Sequence, residues 1–149
     1  MLTASAVARY LILEFIRRKS PISHLKLQKL LYYAQGWHLG LYDKPLFNDR
    51  IEAWVHGPVL PSIFQEYRGY RWVNITGAEE PQVPKEIAAH LNEVADAYGD
   101  LTATQLERLS HTENPWKETR GDLDPSDRYS AEISHSLMRE FFAAQEVNG

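Results

Sequence analysis

The sequence predicts a mainly α fold: a single-domain bundle of about five to six helices with a minor two-stranded β-ribbon, spanning residues 1–149. Three observations carry that prediction. Apolar residues recur mostly at helical spacing. Serine, threonine, proline and glycine stand where such helices would start and stop. Only two short stretches, 51–55 and 71–75, read as strands.

The first helix is expected from about Ala4 to Arg18, with Thr3 as N-cap because its hydroxyl can accept from a free backbone N–H. Val7, Leu11 and Phe15 repeat at four-residue spacing, and Ile12, Leu13 and Ile16 widen the stripe. A helix apolar on most sides is a central one. Ser20–Pro21 ends it, since proline disfavours helix at the residue before it.

The second helix should span about Ser23 to Leu41. Leu27, Leu30, Leu31, Ala34, His38 and Leu41 share one face, and Tyr33 and Trp37 form an offset second stripe. Such a helix is either squeezed between two layers or presents one stripe to a partner. Gly36 and Gly40 each cost about 1 kcal/mol against alanine. That cost points to close helix contact or, at Gly40, to fraying.

Asp43 to Asp49 reads as a turn. Ile51–Val55 alternates as a strand, Gly57–Pro58 turns the chain, and Pro61 opens a short helix bearing Ile63, Phe64 and Tyr67. Arg71–Ile75 is the second strand candidate, able to pair with the first if helices pack on the ribbon. Thr76–Pro84 is turn-rich. Ile87, Leu91, Val94 and Tyr98 then define an amphipathic helix stopped at Gly99. Thr102 caps another, with Leu106 and Leu109 inward. Asn114–Tyr129 reads as long, polar and irregular, broken by Pro115, Gly121 and Pro125. The last helix begins after Ser130 and carries Ile133, Leu137, Met138, Phe141 and Phe142.

Composition narrows the chemistry. The chain is long enough to bury a core without staples. It has no cysteine, which excludes disulfides, thiol catalysis and cysteine-ligated zinc or iron–sulfur centres. No stretch approaches the roughly 20 apolar residues that cross a bilayer. Arg17, Arg18 and Lys19 follow the apolar run, the reverse of a signal peptide. A cytoplasmic, soluble protein without a membrane partner is expected. The net charge of −4 gives no global pull on nucleic acid. The basic cluster itself reads as the last turn of a helix, where cations oppose the dipole.

None of the six histidines forms a helical His-x-x-x-His or His-Glu-x-x-His pair, so no metal is expected. Phosphate-binding glycine loops and the Gly-x-Ser-x-Gly elbow are missing as well. No cofactor and no catalytic residue is therefore assigned. The acid–base pairs an unrecognised enzyme could use are His56 with Glu52 and His111 with Glu113.

Three segments stand out as partner-binding candidates. In Leu27–Gly36, Gln28, Lys29 and Gln35 interleave with Tyr32 and Tyr33; the segment is a core helix or a polar–aromatic flank suited to recognition, with Trp37 just beyond. In Glu52–Val59, Trp54, His56 and Pro58 surround a tight turn. Tryptophan is favoured at interface hot spots because it buries a large area and keeps a polar tip. In Leu109–Trp116, His111 can cap a helix while Pro115 and Trp116 dock the next loop. Trp54 and Trp116 are open to either a core or a surface role.

Together these segments resemble the Panacea domain, or SocA-like family, whose members are often labelled phage-associated proteins. Leu27-Gln28-Lys29-Leu30-Leu31-Tyr32-Tyr33-Ala34-Gln35-Gly36 is similar to the family's signature helix. Leu41–Phe47 looks like its following turn, and Ile51–Pro61 like its "EAW…GPV.P" element. His111 with Pro115–Trp116 matches its late "H…PW" element. The match is strongest from Leu25 to Tyr67, while Thr76–Pro84 and Gly121–Ser130 match nothing. The resemblance implies an antitoxin of a two-component system whose partner is a cognate toxin encoded next door. Family members neutralise varied toxins largely by direct contact, and at least one branch acts as a proteolytic adaptor that delivers its toxin to a protease. No catalytic residues come with the family.

Overall fold

Hydroxyl side chains set the helix starts where the sequence places them. Thr3 accepts from the Ala6 amide at 3.1 Å, and Ser23 from the Lys26 amide at 3.2 Å. Thr102 and Gln105 exchange side-chain-to-backbone bonds of 3.1 and 2.8 Å, a reciprocal capping box. The computed structural model describes residues 1–148. In chain order its elements are α1 (Ala4–Arg17), α2 (His24–Tyr42), β1 (Glu52–Trp54), β2 (Gly57–Val59), α3 (Pro61–Tyr67), α4 (Lys85–Tyr98), α5 (Ala103–His111), α6 (Asn114–Arg120) and α7 (His135–Asn148). The fold is mainly α with one small antiparallel ribbon.

The second helix is the axis. Leu27, Leu30, Leu31, Tyr32, Tyr33 and Ala34 have no exposed surface. Helices α1, α4, α5 and α7 all pack on it, as does β2. Of the two possibilities left by its double stripe, the structure takes the first: α2 is squeezed between layers. Burying each such large side chain contributes about 1.5–3 kcal/mol.

Gly36 and Gly40 mark the closest approach. Both face Phe142 of α7, and a Cβ on Gly40 would lie 2.7 Å from the Phe142 Cβ and 2.9 Å from the Ala143 amide nitrogen. Close packing, not fraying, explains both glycines. Phe142 lies edge-on to Tyr32 and Tyr33, with centroids 5.8 and 6.1 Å away, a favoured aromatic geometry.

The structure corrects several expectations. The partner of β1 is β2, with Glu52 opposite Val59, Ala53 opposite Pro58 and Trp54 opposite Gly57. The turn is at Val55–His56. Gly57–Pro58 lies in the strand, because an edge strand tolerates a proline without an N–H to donate. Residues 71–75 form no strand; Ile75 instead donates to the Ile22 carbonyl at 2.8 Å and buries its side chain. The other edge of β1 meets the chain before α7, where Ala53 donates to Ala131 at 3.0 Å and Ile133 to Ile51 at 2.8 Å, so Ile133, expected on the last helix, lies ahead of it against the ribbon.

A further correction is α6 (Asn114–Arg120), which occupies part of the stretch expected to be irregular. Pro115 sits in its first turn, where a missing N–H costs nothing. Trp116 and Arg120, four apart, turn inward together. Among the described residues no helix is long and apolar enough to cross a membrane.

Candidate functional site

Gln28, Lys29 and Gln35 of α2 point into the protein. Gln28 clamps the backbone of Leu60, accepting from its amide at 2.8 Å and donating to its carbonyl at 3.3 Å. Gln35 does the same across Leu46 and Phe47, accepting at 2.7 Å and donating at 2.7 Å. Lys29 donates to the Pro58 carbonyl at 3.2 Å. These are hydrogen bonds that the loops and ribbon could not make within themselves, so α2 fixes where both lie.

The expected polar–aromatic recognition flank is therefore not a surface. Gln28, Lys29, Tyr32 and Tyr33 are buried. Gln28, Lys29 and Tyr33 are internal fasteners, each bonded to a backbone group or a carboxylate that would otherwise be buried unpaired. Tyr33 donates to Glu113 at 2.8 Å and stacks on Tyr98 with centroids 4.1 Å apart. The Tyr32 hydroxyl is buried beside them without a partner among the described residues.

Burial shifts the titrations of this interior. It pulls the Lys29 ammonium down to about 8, with Glu107 partly opposing it. It pushes the Glu113 carboxyl up to about 7 against the stabilising Tyr33 hydroxyl. His111 is lowered by burial too. Desolvation disfavours the charged form in each case.

Pro58 and Trp116 are also buried. Trp116 donates its indole N–H to the Trp54 carbonyl at 2.7 Å and stacks on His111 with centroids 4.1 Å apart. Arg120 lies over Trp116 at 5.0 Å and donates to the Ala53 carbonyl at 2.9 Å. Its second terminal nitrogen reaches the carbonyls of Asp124, Pro125 and Asp127. One guanidinium thereby ties the hairpin to the loop that follows α6.

The consequence is an open groove of about 660 Å³ between hairpin and loop. Trp54, Val55 and His56 form one wall, and Ser126, Arg128, Tyr129 and Ser130 the other. Trp54 is half-buried, held by a 2.8 Å bond from its indole to Glu52 and by Phe64 at 5.3 Å. His56 is exposed at the tip, 3.3 Å from Glu107. Thus Trp54 and His56 reach the groove, while Pro58, His111 and Trp116 support it from behind. Trp37 lies apart: it bonds the Tyr98 hydroxyl at 2.7 Å and lines a smaller groove of about 220 Å³ between α2 and α4.

Neither of the acid–base pairs considered from the sequence is made. Glu52 is engaged by Trp54 and by Arg50 at 2.8 Å, while His56 faces Glu107. Glu113 is taken by Tyr33, and His111 by Trp116. Among the described residues no group of three or more histidines and carboxylates could hold a metal ion.

Sequence reasoning missed Arg120, Arg128 and Tyr129. A polar stretch holding two arginines and a tyrosine was the available signal, and only the fan of bonds from Arg120 reveals that the stretch is built.

Comparison with known proteins adds the family context. The family of antitoxin SocA-like proteins with a Panacea domain matches over residues 27–117. Antitoxin SocA of Caulobacter vibrioides (strain NA1000 / CB15N) is 28% identical over 159 residues, covering 97% of this chain and 85% of that protein. No solved structure gives a significant match.

Proposed function

Because this chain belongs to the Panacea-domain family of SocA-like antitoxins, we propose that it neutralises a cognate toxin by direct contact and turns over no substrate. The observation that carries this reading is the groove between hairpin and loop, where Trp54, His56, Arg128 and Tyr129 meet. Aromatic and arginine side chains are the commonest binding hot spots. Here Trp54 and His56 sit on a hairpin already fixed by Lys29, Trp116 and Arg120, and Arg128 and Tyr129 sit on the loop that Arg120 ties to it. Side chains that are ordered before binding lose less entropy on association. An interface of ordinary size buries about 1,600 Å² in total, enough to cover the groove and block a toxin's active site.

The test is co-expression with the protein encoded beside this chain whose expression alone arrests growth. Direct contact predicts that growth returns, that the two proteins co-purify, and that the toxin's level holds. Growth restored by loss of the toxin, only when a protease is intact, would replace neutralisation by contact with proteolytic delivery. Failure to co-purify and failure to restore growth would end the antitoxin reading for that pair.

A further inference from the structure

We infer that the loop Arg68–Asn74 is a second anchor of the toxin interface, with Trp72 entering an apolar pocket on the toxin that carboxylates rim. The inference rests on the direct-contact reading above and names a surface outside the groove.

Trp72 is 87% exposed and Val73 64%; even the terminal Met1 is less exposed than Trp72, at 76%. An isolated exposed leucine needs no explanation, but a tryptophan with nearly its whole ring in water does. The loop beneath it is not slack. Arg71 donates to the Arg68 carbonyl at 3.1 Å, and Val73 to the Tyr70 carbonyl at 3.1 Å. Tyr70 packs near buried Tyr67, with centroids 6.1 Å apart. On the far side, buried Ile75 is pinned to Ile22 at 2.8 Å. Arg71 itself holds φ 53° and ψ −115°, a backbone conformation that side-chain-bearing residues seldom adopt. The ring is thus presented on a fixed mount, which lowers the entropy lost on docking.

Charge says what the mount fits. From Tyr67 to Ala78 the sequence has Arg68 and Arg71 and no carboxylate. Among the described residues neither arginine is in an ion pair. The chain as a whole carries −4. A cationic, aromatic knob on an acidic protein matches an acidic-rimmed apolar pocket, since complementary charge steers the encounter and fixes the register. Two lone arginines on an acidic chain are too few for a nucleic-acid track. One indole and one valine likewise offer too little apolar area for stable lipid anchoring.

The knob and the groove are also braced by one chain of packed rings. Rings run from Trp54 to Phe64 at 5.3 Å, to His24 at 5.5 Å, to Tyr67 at 6.4 Å and on to Tyr70 at 6.1 Å. The ribbon tip, α3 and the loop after it therefore share one packed support. A single interface of about 800 Å² per partner can span such neighbouring features.

The experiment titrates the growth-arresting toxin with the full chain, Trp72→Ala, Trp72→Phe and the double variant Arg68→Glu/Arg71→Glu. Because Trp72 is exposed, Trp72→Ala should melt with the wild type. The inference expects Trp72→Ala to bind about 30-fold or more weakly, as a hot-spot truncation does. Trp72→Phe should recover most of the loss. The charge-reversed variant should bind more slowly, with the deficit shrinking at high salt. Wild-type binding with Trp72→Ala within about twofold would overturn the inference and leave the direct-contact reading standing. No binding by the wild type would overturn both. Loss of self-association, or of binding to anionic vesicles, with toxin affinity unchanged would assign the loop to another occupant and overturn the inference alone.

Discussion

Lys29, without exposed surface in the middle of α2, donates its ammonium to the carbonyl of Pro58 in β2 at 3.2 Å. The central helix thereby holds the ribbon whose tip forms the candidate interface. The bond crosses from the most buried element to the one that bears Trp54 and His56.

That bond has a pH signature. Burial lowers the Lys29 ammonium from its ordinary 10.5 to about 8. Below about pH 8 the lysine is protonated in both states, and its desolvation penalty is fully present. Between about 8 and 10.5 the unfolded chain holds a proton that the folded chain has released, so stability rises with pH. Relative to Lys29→Met, the wild type should gain on the order of 2 kcal/mol between pH 8 and 10. Urea denaturation at both pH values checks this; parallel profiles would show that Lys29 is not desolvated. Amide exchange at Gly57 and Val59 should speed up in the variant, because the Pro58 carbonyl loses its donor.

Glu113 titrates with the opposite slope. Its folded carboxyl is pushed to about 7 by burial, from an ordinary 4.5, despite the Tyr33 bond. The folded state then binds a proton more tightly, a contribution fully present below about pH 4.5 and lost as pH rises through 7. Wild-type stability should fall relative to Glu113→Gln across that window, since glutamine keeps an acceptor for Tyr33 and never ionises. Thermal melts at pH 5 and pH 7.5 measure the difference, and a gap that stays constant would contradict the assignment.

Gly57→Ala tests how tightly the ribbon sits on α2. Gly57 adopts φ +106°, and an added Cβ would lie 2.9 Å from the Ser110 hydroxyl and 3.0 Å from the Lys29 side chain. Strain and crowding act together, so the variant should lose more than about 1 kcal/mol of stability. An unchanged urea midpoint would mean that the ribbon can lift from α2 without cost.

Gly36→Ala separates helix propensity from packing. Alanine should favour the helix by about 1 kcal/mol. Here its methyl would collide with the Phe142 ring, and overpacking costs about 1–3 kcal/mol. A net loss is expected. In a Phe142→Leu background the same substitution should cost less, with a coupling of at least about 0.5 kcal/mol. Additive effects would show that α7 can shift away from α2.

The legible parts of the fold were those where one residue type has one local meaning. Thr3, Ser23 and Thr102 each announced a helix start, and each caps one. The apolar period of α4 likewise told which side would be inward, whereas α1, read as apolar on most sides and so central, leaves Leu13 and Ile16 only partly buried and yields the axis to α2. Gly57–Pro58 misled because the same pair suits a turn and an edge strand, and only the Lys29 and Gln28 bonds select the strand. Helix α6 was hidden because it is short and polar, with Trp116 and Arg120 turned inward. The site was harder still. Gln28, Lys29 and Gln35 look like a solvated flank until their carbonyl and amide partners, 11 to 32 residues away, are known. The segments that carry the family resemblance are thus largely the fasteners of the scaffold. The groove draws its second wall from Ser126–Ser130, in a stretch that resembles nothing.

The most direct test of neutralisation by contact uses two purified proteins and nothing else. The toxin's activity is followed as this chain is added, with no protease and no nucleotide in the mixture. Contact predicts that inhibition saturates at a fixed molar ratio, and that alanine at both Trp54 and His56 weakens it without unfolding the protein. A toxin that keeps full activity beside an excess of the chain, and loses it only when a protease is supplied, would contradict the account.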